Sequence, residues 1–253
     1  MLIDSHAHLD RPEFDCDEII NNMKKDNLAA IVTVGVDPIR SAKTVEIAQN
    51  NENVYAVIGY HPDYAGDYKS ADLQTLRALL KEDKVVGVGE IGLDYHEENI
   101  DREKQKQLFI DQILLADEFD LPIILHLRDA TGDAIDILTK YKDYIRHGGI
   151  AHCYSGSLET AKILLKLGFY ISFSGRITFK KVDRTILHYL PTNRILVETD
   201  APFLAPEPLR GTVNVPKNVN YTAQRIADEL NISLEQFGEI TMANTRRVLY
   251  KMK

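Results

Sequence analysis

The sequence lacks the features that mark membrane proteins and secreted proteins. None of its apolar runs approaches the roughly 20 residues needed to cross a bilayer. Met1 is followed by Asp4 and two histidines instead of a basic region and a long apolar region, so we expect no signal peptide. The two cysteines, Cys16 and Cys153, are too few for a disulfide framework. These absences predict a protein of the reducing cytoplasm that has no membrane partner.

Net positive charge is also lacking. The 253 residues include 30 lysines and arginines against 38 acids, and the formal net charge is -8. This balance argues against a protein whose whole surface binds nucleic acid. It does not exclude an enzyme that acts on phosphodiesters, because bound cations reverse the local field. Since no linker, low-complexity segment or strong repeat divides the chain, we expect one domain over residues 1–253 and no obligate protein partner.

Apolar, β-branched runs alternate with amphipathic segments along the whole chain, which is typical of an α/β protein. The predicted strands are Leu2–His6, Ala30–Gly35, Val54–Gly59, Val85–Glu90, Pro122–His126, Gly149–His152, Tyr170–Ser174 and Ile195–Thr199. The predicted helices are 15–27, 37–50, 73–81, 101–119, 130–141, 158–167, 182–190, 215–230 and 233–250. Eight β/α units predict a closed (β/α)8 barrel, the TIM barrel. The alternative, a doubly wound open sheet, would usually carry a glycine-rich loop after its first strand, where this chain has His6 and His8.

Histidines and acids lie at the carboxyl ends of the predicted strands, where a TIM barrel has its active site. His6 and His8 are two positions apart, so an extended strand points both imidazoles to one side. Other strands end at His61, Glu90, His126, His152 and Asp200. An acid that closes an apolar strand is costly to bury without a cation or a hydrogen-bond donor.

Six of these residues form a candidate metal centre: His6, His8, Glu90, His126, His152 and Asp200. Each histidine taken singly can also be a packed or surface residue, and the convergence of all six favours the metal. Imidazole with carboxylate suits Zn, Mn, Ni, Fe or Co and holds Mg less tightly. One catalytic ion typically takes three protein ligands. Six ligands therefore indicate two divalent ions, about 3.5–4 Å apart, that share a carboxylate.

The motifs around these residues resemble those of the TatD family of metal-dependent deoxyribonucleases, over nearly the whole chain. The motifs are His6–Asp10, Gly89–Tyr95, His126–Ala130, His152–Gly156 and Glu198–Pro202, with a slight variant at Arg210–Asn214. The resemblance implies a TIM barrel of the amidohydrolase superfamily. It also implies one metal at His6, His8 and Asp200, a second at His126 and His152, and Glu90 as the bridge. His61 and Arg128 would then face the substrate.

The reaction we expect is hydrolysis of a DNA phosphodiester by a water activated between Glu90 and Asp200. Asp200 would orient the water and accept its proton, while His61 and Arg128 neutralise the phosphoryl oxygens. Arg176, Arg210 and Lys217 would form a basic rim that lines a path for the nucleic-acid backbone, and Tyr60, Tyr95 and Tyr154 could stack on unpaired bases. An acidic protein with a local basic rim should prefer single-stranded DNA or chain ends, as an exonuclease does.

Two other functions remain open at this point. The same ions could hydrolyse an ester or an amide, such as the ester bond of a D-aminoacyl-tRNA. A non-catalytic binding module on a barrel that has lost its chemistry is the second alternative, and the intact ligand set argues against it.

Overall fold

The computed structural model, which describes residues 1–98 and 100–252, is an eight-stranded parallel barrel. The strands pair in chain order, and every pairing from the first strand to the eighth is parallel. They are β1 Leu2–Ala7, β2 Leu28–Val34, β3 Val54–Ile58, β4 Val85–Asp94, β5 Ile123–Arg128, β6 Gly149–Ala151, β7 Phe169–Phe173 and β8 Ile195–Val197. The predicted strands and the TIM-barrel class are thus confirmed.

Amphipathic helices surround the barrel. In the described part of the chain they are α1 Cys16–Asn22, α2 Pro38–Gln49, α3 Ser70–Leu79, α4 Arg102–Glu118, α5 Thr131–Lys140, α6 Leu158–Lys166, α7 Val219–Leu230 and α8 Leu234–Val248. Asp15, Asp37, Asp101, Ser157 and Ser233 cap helix starts by accepting a main-chain N–H three residues on. No helix within these residues is both long enough and apolar enough to cross a membrane.

The helix predicted at residues 182–190 is wrong, because this segment forms only a 3-10 turn at Thr185–His188. Asp183 accepts hydrogen bonds from both the main-chain N–H and the hydroxyl of Thr185. Arg184 donates to two main-chain carbonyls further back in the same connection. Local side-chain bonds of this kind compete with helix formation, so β7 and β8 are joined by an irregular segment.

The buried apolar residues form two layers. One cluster takes residues from all eight strands and none from α1 to α7, so it fills the barrel interior. Val248, Leu249 and Met252 belong to this cluster and close the end where the strands begin, since α8 packs against the start of β1. The second and larger cluster lies between the strands and the surrounding helices. This arrangement leaves the carboxyl ends of the strands for polar residues.

The barrel closes beside the first histidine pair. The main-chain N–H of Asp200 donates to the carbonyl of His6 over 2.9 Å, and that of His8 donates to the carbonyl of Ala201 over 2.8 Å. The seam between β1 and the residues after β8 therefore places Asp200 next to His6 and His8.

Candidate metal centre

The carboxyl end of the barrel collects the predicted ligands, of which His126 and Asp200 are partly exposed and the other four are buried. His6 and His8 are 0% and 4% exposed, and Glu90 is 3% exposed. β4 is longer than predicted and continues to Asp94, so Glu90 lies inside the strand and not at its end. The surrounding strands hold these side chains in place, which lowers the entropy cost of binding an ion.

One oxygen of Glu90 faces the histidines of β1. The Oε2 atom of Glu90 is 3.4 Å from Nε2 of His6 and 3.9 Å from Nε2 of His8. The Oδ1 atom of Asp200 is 3.8 Å and 3.6 Å from the same two nitrogens. These separations are too long for hydrogen bonds. They are close to the roughly 3.3–3.5 Å between neighbouring ligands of a tetrahedral ion with bonds of about 2.0–2.1 Å.

The ring of His6 gives independent support for an ion at this point. The side chain is fully buried, and within the described residues neither ring nitrogen has a hydrogen-bond partner. An unsatisfied buried polar group costs about 1–3 kcal/mol. A divalent cation between His6, His8 and the two carboxylates would satisfy the inward nitrogen, so the residues present fit a metal.

The other oxygen of Glu90 faces a second group of histidines. Its Oε1 atom is 2.6 Å from Nδ1 of His126, 2.6 Å from Nε2 of His152 and 3.6 Å from Nε2 of His61. Each oxygen of the carboxylate therefore has its own set of imidazoles, which is the arrangement of a bridging ligand. The structure brings all six predicted ligands and His61 together, while the assignment of each as a metal ligand stays a prediction.

Three of the histidines use their outward nitrogen as a hydrogen-bond donor or direct it at an acid. Nδ1 of His8 donates to the main-chain carbonyl of Val34, in β2, over 2.9 Å. Nε2 of His126 is 2.8 Å from Oδ2 of Asp94, and Nδ1 of His152 is 3.4 Å from Oε1 of Glu198. The acceptors behind His8 and His126 fix the tautomer and leave the lone pair of the inward nitrogen available to an ion. Among the described residues, Nδ1 of His152 faces Glu198 without a hydrogen bond.

Asp94 and Glu198 were not assigned a role from the sequence. Asp94 follows Glu90 by four positions, and Glu198 precedes Asp200 by two. Even spacings place side chains on the same face of an extended strand. The even spacing from Glu90 and Asp200 is thus the sequence signal for Asp94 and Glu198. Both residues are buried.

The charges of this site depend strongly on each other. Burial alone would raise the pKa of Glu90, but His152, His61 and His126 outweigh it and hold that pKa well below its usual range. Burial alone would lower the pKa of His126, but Glu90 and Asp94 raise it to about 9. The pKa of His152 also rises well above its usual value, against burial and mainly through Glu90. Protons on His126 and His152 thus balance the carboxylates, and a metal ion would replace those protons.

The predicted substrate contacts differ in their placement. His61 and Arg128 line a cavity of about 330 Å³ together with Glu90 and Asp200. Arg210 lies elsewhere, with its guanidinium 4.5 Å above the centre of the Phe179 ring. The residues described as lining that cavity do not include Arg210, so its contact with the substrate stays a prediction.

The basic rim expected from the sequence is only partly assembled. Arg176 shares a cavity of about 350 Å³ with Asp200 and His152. Lys217 lines a different cavity, in which Glu13 and Asp15 are among its neighbours.

Comparisons with known proteins identify the family of the chain. The family model of the TatD related DNases matches residues 3–250. The chain is 41% identical to YabD of Bacillus subtilis (strain 168) over 98% of both chains, and 35% identical to YcfH of Escherichia coli (strain K12) over 98% of this chain and 96% of that one. Both relatives are named uncharacterized metal-dependent hydrolases.

A solved structure gives the same result for the fold. The crystal structure of YjjV, a TatD homologue from Escherichia coli K12, is similar with a TM-score of 0.91 and 29% identity, over 98% of this chain and 97% of that one. The matched relatives cover the strands that carry the histidines and acids of the site. The chain belongs to the TatD family of metal-dependent hydrolases.

Proposed function

We propose that this hydrolase cleaves phosphodiester bonds of DNA with two divalent ions, and that it acts on single-stranded ends. The observation that carries the proposal is that the two oxygens of Glu90 each face a separate group of imidazoles. Two ions that share one carboxylate are typical of enzymes that cleave phosphate esters. Mg, Mn, Zn, Ni, Fe and Co all suit this donor set.

The ions supply Lewis acidity and lower the pKa of a coordinated water. The side chain of Asp200 is 13% exposed, whereas that of Glu90 is 4% exposed. This greater exposure supports a role for Asp200 in orienting a water and accepting its proton. Arg128, at the edge of the same cavity, and His61 would donate to the phosphoryl oxygens and stabilise their charge.

The size and charge of the site favour a single strand over a duplex. A cavity of about 330 Å³ holds a group of small-molecule size, such as one nucleotide unit. A flexible strand end can enter such a space, whereas a paired helix would have to open first. The net charge of -8 supports the same choice, since broad contact with a duplex backbone would be repulsive.

We also place this activity in the cytoplasm. Both cysteines are free thiols, Cys16 on α1 and Cys153 beside His152, as expected for a reducing compartment.

The test is a hydrolysis assay with end-labelled DNA. Protein purified without chelator is assayed with single-stranded and double-stranded oligonucleotides of one sequence, in Mg or Mn. We expect nucleotides to be released from single-stranded ends, with little cutting of the duplex. Glu90→Ala should abolish turnover, because it removes the shared carboxylate.

A substrate panel separates this proposal from its alternatives. Acyl esters and a D-aminoacyl-tRNA are assayed with the same metal-loaded protein. Turnover of the acyl esters without any phosphodiester cleavage would contradict the proposed substrate but keep the metal chemistry. Absence of all turnover in protein that holds its metals would indicate a binding module.

A further inference from the structure

The segment that joins β7 to β8 is cationic in an acidic protein. Residues 174–194 contain five lysines and arginines and a single acid, Asp183. The carboxylate of Asp183 is turned onto the N–H and the hydroxyl of Thr185. This local excess of positive charge was not visible in the net charge of the chain.

Part of this segment forms the wall of a cavity next to the metal centre. The cavity measures about 350 Å³, and Tyr154, Arg176, Lys181 and Tyr189 are among the residues that line it. Arg176 also lines the cavity that reaches Asp200. Ser155 lines both cavities as well, so the cavity with Lys181 and Tyr189 adjoins the one that reaches Asp200 and His152. We call this outer cavity the β7 groove.

The two cations of the β7 groove have no internal partner. Arg176 and Lys181 are exposed, and neither side chain makes a hydrogen bond or an ion pair with any residue in 1–98 or 100–252. Arg77 is different, since Glu118 neutralises it at 2.9 Å on the protein surface. Unpaired cations that share a concave surface attract an anionic ligand.

Aromatic side chains accompany these cations. Tyr189 is 67% exposed, which is unusual for so large a side chain and leaves its ring free for contact. Tyr154 is held in place because its hydroxyl donates to the carbonyl of Ser157 over 2.5 Å. Alternating aromatic rings and cations are the features that bind single-stranded nucleic acid, with bases stacked on the rings and phosphates on the cations.

We infer that the β7 groove binds the part of a single-stranded nucleic acid that extends beyond the scissile phosphate. Arg176 and Lys181 contact successive phosphates, and a base stacks on Tyr189. This inference rests on the proposed function, because it assumes that the strand enters the metal centre. The inference also gives the path of the nucleic acid away from the metal centre. The strand passes over the loops after β6 and β7 and not over those after β2 and β3.

The first test is the salt dependence of binding. Affinity is measured by fluorescence anisotropy for a labelled octathymidylate whose phosphorothioate linkages resist hydrolysis, with metal-loaded protein between 50 and 200 mM salt. Each phosphate contact with a single strand contributes about 0.7 to the slope of log K against log salt. Lys181→Ala and Arg176→Ala should each reduce the slope by about 0.7. Lys180→Ala is the matched control, because Lys180 is exposed, carries the same charge and does not line the groove.

The second test is the dependence of hydrolysis on strand length. We expect kcat/KM to rise from dithymidylate to octathymidylate, and the rise should shrink in Lys181→Ala and Tyr189→Ala but not in Lys180→Ala. A shorter strand cannot reach the groove, so the loss should be larger for the octamer than for the dimer.

The outcomes separate the groove from the reaction. Equal salt slopes and equal length dependence in Lys181→Ala and Lys180→Ala would overturn the inference that the β7 groove binds the strand, even if DNA is cleaved. Failure of the octamer to bind would overturn it as well. Binding that loses slope in Lys181→Ala without any cleavage would keep the groove and reject the proposed hydrolysis.

Discussion

Asp94 and Glu198 lie behind two of the candidate metal ligands, His126 and His152. Asp94 lies 2.8 Å from the outward nitrogen of His126, and Glu198 lies 3.4 Å from that of His152. A carboxylate in this position orients the ring and makes its other nitrogen a better ligand. The two acids also add negative charge to a site that has to hold cations.

Replacing Asp94 by asparagine should weaken metal binding without unfolding the protein. Asparagine keeps the shape of the side chain but removes the charge behind His126, and such changes typically cost about 10–100-fold in affinity. The dissociation constant is measured by competition with a chelating dye. Asp129→Asn is the control, since Asp129 is exposed and pairs with His96 at 3.0 Å instead of with a candidate ligand. Equal affinities in both variants would refute the role of Asp94.

Metal binding should release protons and strengthen as the pH rises. The pKa of His126 is raised to about 9 and that of His152 is raised well above its usual value, so both rings carry protons near neutral pH when no metal is bound. A ligating imidazole must be neutral. Protons therefore compete with the metal, and affinity falls as the pH drops below about 9.

Titration calorimetry in two buffers of different ionisation enthalpy counts the released protons. We expect at least one proton per chain at neutral pH. A binding constant that does not change between pH 6 and pH 9 would contradict this account of the charges.

The sequence predicts the ligands better than the residues behind them. His6 and His8 were found because their spacing places both on one face of a strand, and Glu90 and Asp200 because an acid after an apolar run has no ordinary place in a core. The even spacing of Asp94 after Glu90 indicates a shared strand face, but it does not show that Asp94 contacts His126, which lies 32 positions away.

At the scale of elements, α4 fixes the ends of two strands that carry the site. Gln112 is fully buried, and its amide accepts from the N–H of Tyr60 over 2.7 Å and donates to the carbonyl of Tyr60 over 2.9 Å. Gln105 makes the same pair of bonds with the main chain of Asp94, both over 2.9 Å. The two glutamines thus satisfy the main-chain N–H and carbonyl of Tyr60, just before His61, and those of Asp94, beside the candidate metal centre.

Replacing Gln112 by leucine should destabilise the protein. The change leaves a buried N–H and a buried carbonyl of Tyr60 without partners, and we expect the free energy of unfolding to fall by about 1–3 kcal/mol. Urea denaturation followed by circular dichroism measures this loss. Gln107→Leu is the control, because Gln107 is an exposed residue of the same helix. A loss no larger than that of the control would show that the amide does not hold the strand end.

Periodicity predicted every strand, but it failed in the connection between β7 and β8. The apolar spacing in residues 182–190 suggested a helix, while Asp183 and Arg184 bond the main chain locally and hold it irregular. Side chains of that irregular segment line one side of the β7 groove.

For the whole molecule, the barrel separates an apolar end from a polar one. Val248, Leu249 and Met252 close the first end. At the second end, histidines and acids of β1, β4 and β5 meet those of the segments that follow β1, β3, β6 and β8. The sequence predicted this layout because eight β/α units have few ways to pack. It did not predict the distances, since these depend on how β1 and β8 meet across almost the full length of the chain.

The central claim is that two cations lie on either side of Glu90. The most direct measurement is an anomalous difference map, recorded at the metal absorption edge from a crystal of protein loaded with Mn or Zn. We predict two peaks, one among His6, His8, Glu90 and Asp200 and the other among Glu90, His126 and His152. A single peak, or peaks that avoid the Glu90 carboxylate, would contradict the account.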